Sequence, residues 1–346
     1  MRMRGNRHWR ISLFMAALLW ICAGAAPAWC GYHQIKKVNL GGEGFWDYLN
    51  VDGPNRHLFI SRGTHVMVVD ADKYTVVGDI PGTQGVHGIA IASDAGKGYT
   101  SNGGTNTATI FDLTTLKVLG TVPTGEGPDA IIYDPASHRV FTMNGHGQSA
   151  TAIDAATGHV AGSIPLGGRP EFATADGQGH IYVNLEDKSQ VVQLDSNALK
   201  VLNTWPLAPG DSPSGMAIDP QHRRTFSGCH NKMMVIMDAD TGKVVATAPI
   251  GQGVDANAFD TTTDTAFSSN GDGTLTVVHE DSPDKFTVVE NVTTQRGART
   301  MALDPNTRNV FLVTAEFEPM PAPTPGQPRQ RPKMVPGSFT LLVYAP

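Results

Sequence analysis

The 346-residue chain predicts an all-β fold, a seven-bladed β-propeller of four-stranded blades. Three observations carry that prediction. A four-strand pattern returns about every 42 residues, a blade-sized period. Turn-formers are abundant, with 38 Gly and 23 Pro. Charged residues make up 17% of the chain, against about 25% in an ordinary soluble domain. So much Gly and Pro excludes a long-helix bundle, and 40% apolar content excludes an unfolded chain.

Residues 1–28 read as a secretory signal peptide. Arg2, Arg4, Arg7 and Arg10 precede an apolar run from Ile11 to Ala23, and Ala26-Pro27-Ala28 supplies small residues for cleavage after Ala28. The run is too short to span a bilayer. A periplasmic or secreted protein without a membrane span is therefore expected. Bulky Ile21 and Trp29 before Cys22 and Cys30 argue against a lipid anchor. Loss of the four arginines would take the formal charge from −6 to −10. That acidity disfavours nucleic acid and anionic lipid as partners. Cys30 and Cys229 stay in the mature chain, where the compartment allows a disulfide that the sequence does not fix. No Cys-x-x-Cys-His is present, which excludes covalent c-type haem.

Residues 29–346 form one domain by their repeat. The inner strand of each unit ends at Asp52, Ala92, Asp134, Asp176, Asp219, Asp260 and Asp304, at spacings of 40 to 44 residues. An aromatic second strand follows, as in Val140-Phe-Thr-Met-Asn144 and Ala266-Phe-Ser-Ser-Asn270. A third strand ends in an acid at Asp70, Asp112, Asp154, Asp195, Asp238 and Glu280. Those acids, like the glycines at Gly41-Gly42 and Gly103-Gly104, are expected to form turns. The seventh unit stops at its third strand, Leu341 to Pro346. The segment 32–41 supplies the missing fourth, which closes the ring and limits open edges. One unit departs from the pattern: residues 316–337 insert a Pro-rich stretch with Arg329, Arg331 and Lys333. It is expected to be an extended arm over the acidic mouth.

The period, the aromatic-Thr/Ser-x-Asn strand and the Asp238-x-x-Thr-Gly-Lys-Val244 hairpin together resemble the YVTN-repeat propellers, including exported YncE-like bacterial proteins. The resemblance covers roughly residues 32 to 346 and implies a periplasmic or surface propeller. Related seven-bladed propellers include lactonases and lyases that act at the central tunnel, and one YVTN member has been linked to DNA.

Counting five residues back from each inner-strand end gives Asp47, His87, Asp129, Glu171, Ser214, Asp255 and Arg299. These are expected to form a polar ring at one tunnel mouth and to bind ligand there. Four carboxylates so close should raise one another's pKa or recruit a cation. Asp47, Asp129, Glu171 and Asp255 suit a hard divalent cation. His146, Cys229 and His230 are a weaker soft-metal set. The mouth loops also carry Arg62, Asn102, Asn144, Glu186 and Asn270.

Two function classes follow. One is a monomeric binding platform for a small molecule or periplasmic protein at the top face. The other is a tunnel hydrolase or lyase resembling the propeller lactonases. There His87 or Glu171 would be the general base, and Arg299 would stabilise an oxyanion. No nucleophile elbow occurs, and Ser214-Gly215 alone does not make one, so the sequence leaves enzyme status open.

Overall fold

The computed structural model describes residue 1 and residues 31–42, 44–319 and 333–346. The expected signal peptide, Cys30, and residues 320–332 of the Pro-rich insertion with Arg329 and Arg331 lie outside the described residues.

The chain from Tyr32 to Pro346 folds as one compact unit, whose described residues form 27 strands and two short 3-10 turns at Ser93–Ala95 and Glu186–Lys188. Five sheets have four antiparallel strands each. A sixth has seven, because the strand Val76–Ala92 runs from the outer edge of the first repeat into the inner position of the second. His33–Asn39 pairs antiparallel with Thr340–Ala345, setting Val38 opposite Leu341. Inner strands of successive repeats pack side by side, and Leu49–Asp52 also packs against Met301–Leu303. No helix among the described residues is long and apolar enough to cross a membrane.

Burial grades outward within each sheet. The second strand, such as Arg139–Asn144, is covered on both faces, so its small polar residues are buried along with its apolar ones. Its aromatic residue is the core of every repeat: Phe59, Tyr99, Phe141, Tyr182, Phe226, Phe267 and Phe311 are all fully buried. Each such side chain contributes about 1.5–3 kcal/mol. The fourth strand, such as Val118–Pro123, is mostly exposed.

Turn chemistry explains the recurring acids. Asp112 Oδ1 accepts the Thr114 and Thr115 amides at 3.1 and 2.6 Å and the Thr115 hydroxyl at 2.9 Å. The next residue, Leu116, then takes a φ of 59°. Gly158 and Gly242 occupy the same place with φ of 75° and 71°, where glycine avoids the strain. The conserved-looking spacing of the second-strand Asn has a cause too. Asn102, Asn144 and Asn270, expected in mouth loops, are buried and donate to threonines and a serine of the third strand.

Candidate functional site

Five of the seven polar positions counted from the repeat fall on β-bulges, while Asp47 and Arg299 lie just ahead of the strands Leu49–Asp52 and Met301–Leu303. Val86 faces Asn102 and Ile89 faces Thr100, so His87 and Gly88 together oppose Ser101. The same slip sets Asp129-Ala130 against Met143, Glu171-Phe172 against Asn184, and Ser214-Gly215 against Gly228. Asp255 is the extra residue between Val254 and Ala256. A bulge breaks the ladder and re-aims its side chains. Backbone groups freed by the slip are satisfied from the second strand. Ser101 Oγ accepts the Gly88 amide at 2.8 Å and donates to the Asp129 carbonyl of the next repeat. Asn184 Nδ2 donates to the Ser214 carbonyl at 2.8 Å, and Ser269 Oγ donates to the Arg299 carbonyl. Ser61 Oγ accepts the Asp47 and Tyr48 amides at 3.1 and 3.0 Å. These latches were missed in the sequence, although Ser101, Asn184 and Ser269 all sit in the recurring second-strand motif.

Asp47 and His87 form the tightest contact, with Nδ1 2.6 Å from Asp47 Oδ2 and 3.6 Å from Asp129 Oδ1. Burial works against the imidazolium, but the Asp47 hydrogen bond and the charges of Asp129 and Asp47 outweigh it. The His87 pKa rises to about 9. Glu171 is pushed up to about 9, first by burial and then by Asp129, Glu186, Asp255 and Asp47. Asp129 rises to about 6 through burial, with His87 opposing and Asp47 adding. Asp255 rises to about 7 through burial, partly offset by Arg299, whose Nε lies 3.5 Å away. At neutral pH His87 and Glu171 therefore keep protons that they would lose when free.

Beneath the ring, Tyr48 and Phe172 meet with ring centroids 4.8 Å apart. Tyr48 also hydrogen-bonds Asp129, and burial holds its hydroxyl protonated well above the usual range. Above the ring stands an aromatic wall: Trp46 lies 6.0 Å from Phe317 and 5.3 Å from Phe339. Phe45, Trp46, Asp47, His87, Arg299 and Phe317 line a cavity of about 660 Å³. A second cleft of about 280 Å³ opens on the other side of His87, with Asp129, His146, Arg169 and Glu171.

Searches among known proteins give structural neighbours only. No family model and no curated protein matches the sequence. A chain of the mitotic checkpoint complex superposes with a TM-score of 0.72 at 15% identity, covering 87% of this chain and 95% of that one. The structure of U3-55K superposes with a TM-score of 0.72 at 9% identity, covering 90% and 98%. Both are WD40-type propellers.

The fold is a β-propeller.

Within this propeller Asp47, His87 and Asp129 have ligand atoms within 4.8 Å of one another, a grouping that Glu171 and Asp255 do not join. The 2.6 Å contact between Asp47 and His87 is a hydrogen bond, so a cation there would have to displace its proton. Ser214 does not open on the cavity; it is 2% exposed and its hydroxyl donates to the Asp255 carbonyl at 3.3 Å. Cys229, His230 and His146 are not brought together. Cys229 is fully buried, its thiol pushed up to about 12 by burial, while His230 lies 3.9 Å from Glu186. Arg62, expected in a mouth loop, is fully buried. The insertion is pinned at its base by the Phe317–Met334 bridge and by Glu318 donating its amide to the Lys333 carbonyl at 2.8 Å. Lys333, expected to face the acidic mouth, pairs instead with Glu318 at 3.2 Å.

Proposed function

We propose that the chain is an exported, seven-bladed propeller of the YVTN/YncE-like kind that acts as a binding platform at this mouth. Ring closure by the N-terminal strand is supported by the pairing of His33–Asn39 with Thr340–Ala345 and by contact between the first and last inner strands. Export rests on the signal-like residues 1–28. The observation that carries the binding role is the 660 Å³ cavity, with an aromatic wall beside a polar ring and Tyr48–Phe172 beneath. Such a site holds an amphipathic ligand, a small molecule or a protruding side chain of a periplasmic protein. The ligand's apolar body packs on Trp46 and Phe317, and its polar end meets Asp47, His87 and Arg299. The base of the insertion, Phe317 bridged to Met334, borders the same cavity.

The test compares what the mature chain retains from a periplasmic extract with what two variants retain. These are Trp46→Ala and a chain lacking residues 319–336. Loss of the same small molecule or protein from both supports the reading, and an identical retained set in all three sinks it.

One observation favours catalysis as a second reading. His87 and Glu171 hold protons to about pH 9 beside Arg299, which equips them as general acids rather than the bases expected from sequence. A lactone panel decides it, because turnover unchanged in both Glu171→Gln and His87→Ala removes the hydrolase.

A further inference from the structure

At two seams between repeats an inner-strand aspartate meets a guanidinium of the next repeat, and at a third seam it meets acids instead. In those two the aspartate caps the following turn, and the residue four positions beyond the matching aspartate of the next repeat reaches back toward it. Arg56 thus binds Asp304 at 2.8 Å, and Arg223 binds Asp176 at 2.7 Å. For Asp219 the corresponding position is Asp264, an acid where those repeats place a guanidinium. A second acid closes in from the same neighbouring repeat: Glu280, at the end of the strand region Thr274–Ser282.

The side chains of Asp219 and Glu280 are each 1% exposed. Among the described residues neither oxygen of Glu280 accepts a hydrogen bond, and the Nδ1 of His222 has no hydrogen-bond partner. That nitrogen nevertheless lies 2.8 Å from Asp219 Oδ2 and 3.1 Å from Glu280 Oε1. Arg224, the nearby cation, is committed elsewhere: to Asp238 at 2.7 Å, to Asp284 at 2.9 Å and to the Pro283 carbonyl at 2.6 Å. Two buried carboxylates at one point cost several kcal/mol unless positive charge balances them, and a single imidazolium at His222 balances one of the two.

We propose that Asp219, His222 and Glu280 form a binding site for a zinc-class divalent cation, at the opposite end of their inner strand from the tunnel mouth. Their ligand atoms lie within 4.8 Å of one another. Two ligands of a tetrahedral zinc ion, each at about 2.0–2.1 Å, stand about 3.3 Å apart, close to the spacings here. Two carboxylates supply two negative charges that a divalent ion balances, and an imidazole nitrogen selects transition cations over calcium or magnesium. The bound ion would staple the turn of one repeat to the third strand of the next.

The test uses the purified protein stripped with chelator, titrated with Zn²⁺ by calorimetry and melted with and without it. Co²⁺ absorption serves as a ligand-field readout. One Zn²⁺ should bind at this site and raise the melting midpoint. Glu280→Gln should weaken that binding more than about tenfold while raising the midpoint of the metal-free protein, because it removes an unpartnered buried charge. His222→Ala should also lose the Zn²⁺ response. Asp47→Asn, in the tunnel cluster, should keep it. The site is overturned by a wild-type protein that ignores Zn²⁺, by a response that survives both Glu280→Gln and His222→Ala, or by one that disappears with Asp47→Asn alone.

Discussion

Arg62 shows how a single residue can support the site without touching a ligand. It is fully buried, with its guanidinium 3.5 Å above the Phe339 ring, and it donates to the Gly41 and Gly44 carbonyls at 3.3 and 3.0 Å. Desolvation lowers its pKa to about 10. The approach is close: Gly44 has a φ of 95°, and a Cβ there would fall 2.5 Å from the Arg62 carbonyl oxygen. Phe339 in turn carries Trp46, the wall of the cavity. Arg62→Ala leaves two carbonyls unpaired and a void under Phe339. It should cost about 2–4 kcal/mol, read from denaturant midpoints. Arg62→Lys should recover only part, since an ammonium neither stacks flat nor forks between two acceptors. An unchanged midpoint in Arg62→Ala would show that the burial carries no stability. The repeat spacing placed this arginine between the second and third strands, where it lies, but its burial was not legible because its partners, Gly41, Gly44 and Phe339, come from both ends of the chain.

Among the elements, the second strand does most to specify the fold and the bulge does most to specify the site. The strand was legible because its signals are local: an aromatic residue, an Asn two or three positions on, and an Asp-led turn recurring at one period. The bulges were half legible. The counting rule found the residues that occupy them, but the slip itself depends on cross-strand register, which no single strand reveals. Ser214 shows the consequence. Its bulge points the hydroxyl at the Asp255 carbonyl rather than into the cavity. The Tyr48–Phe172 contact was invisible, since it joins residues of the first and fourth repeats that neighbour each other only after folding. Strand packing also sets which glycines are replaceable. A Cβ on Gly98 would lie 2.0 Å from the Phe111 ring, whereas nothing stands within 4 Å of one on Gly120. Gly98→Ala should therefore destabilise by about 1–3 kcal/mol through overpacking. Gly120→Ala should be neutral or gain up to about 1 kcal/mol through a less flexible unfolded chain. Equal melting shifts for the two would refute the packing argument.

Across the whole molecule, two sets of titrating groups bound the stability optimum from opposite sides of the pH scale. Turn-capping aspartates such as Asp112, Asp154 and Asp304 are held below the usual carboxylate range by turn hydrogen bonds and, for Asp304, by Arg56 against the cost of burial. Their contribution is present above about pH 4 and is lost on acidification. The titrating groups around His87 act in the opposite direction. Glu171 rises from 4.5 to about 9 and His87 from 6.5 to about 9, while Asp255 reaches about 7 and Asp129 about 6. Each keeps a proton in the folded protein that the unfolded chain has already released. Stability therefore falls as pH rises through those intervals, by about 1.4 kcal/mol per pH unit for each extra proton held before solvent screening. Glu280, raised to about 7 by burial and by Asp219, adds to the fall in metal-free protein. Urea midpoints in metal-free buffer should accordingly be highest near pH 5 and decline to pH 9. Glu171→Gln should flatten the decline, because its amide has no proton to lose, whereas Asp112→Asn should lower stability without changing the slope above pH 5. A wild-type profile that is level or rising from pH 5 to 9 would mean that the tunnel carboxyls ionise freely. In that case Asp47, Asp129, Glu171 and Asp255 would confront any ligand as a ring of bare negative charge.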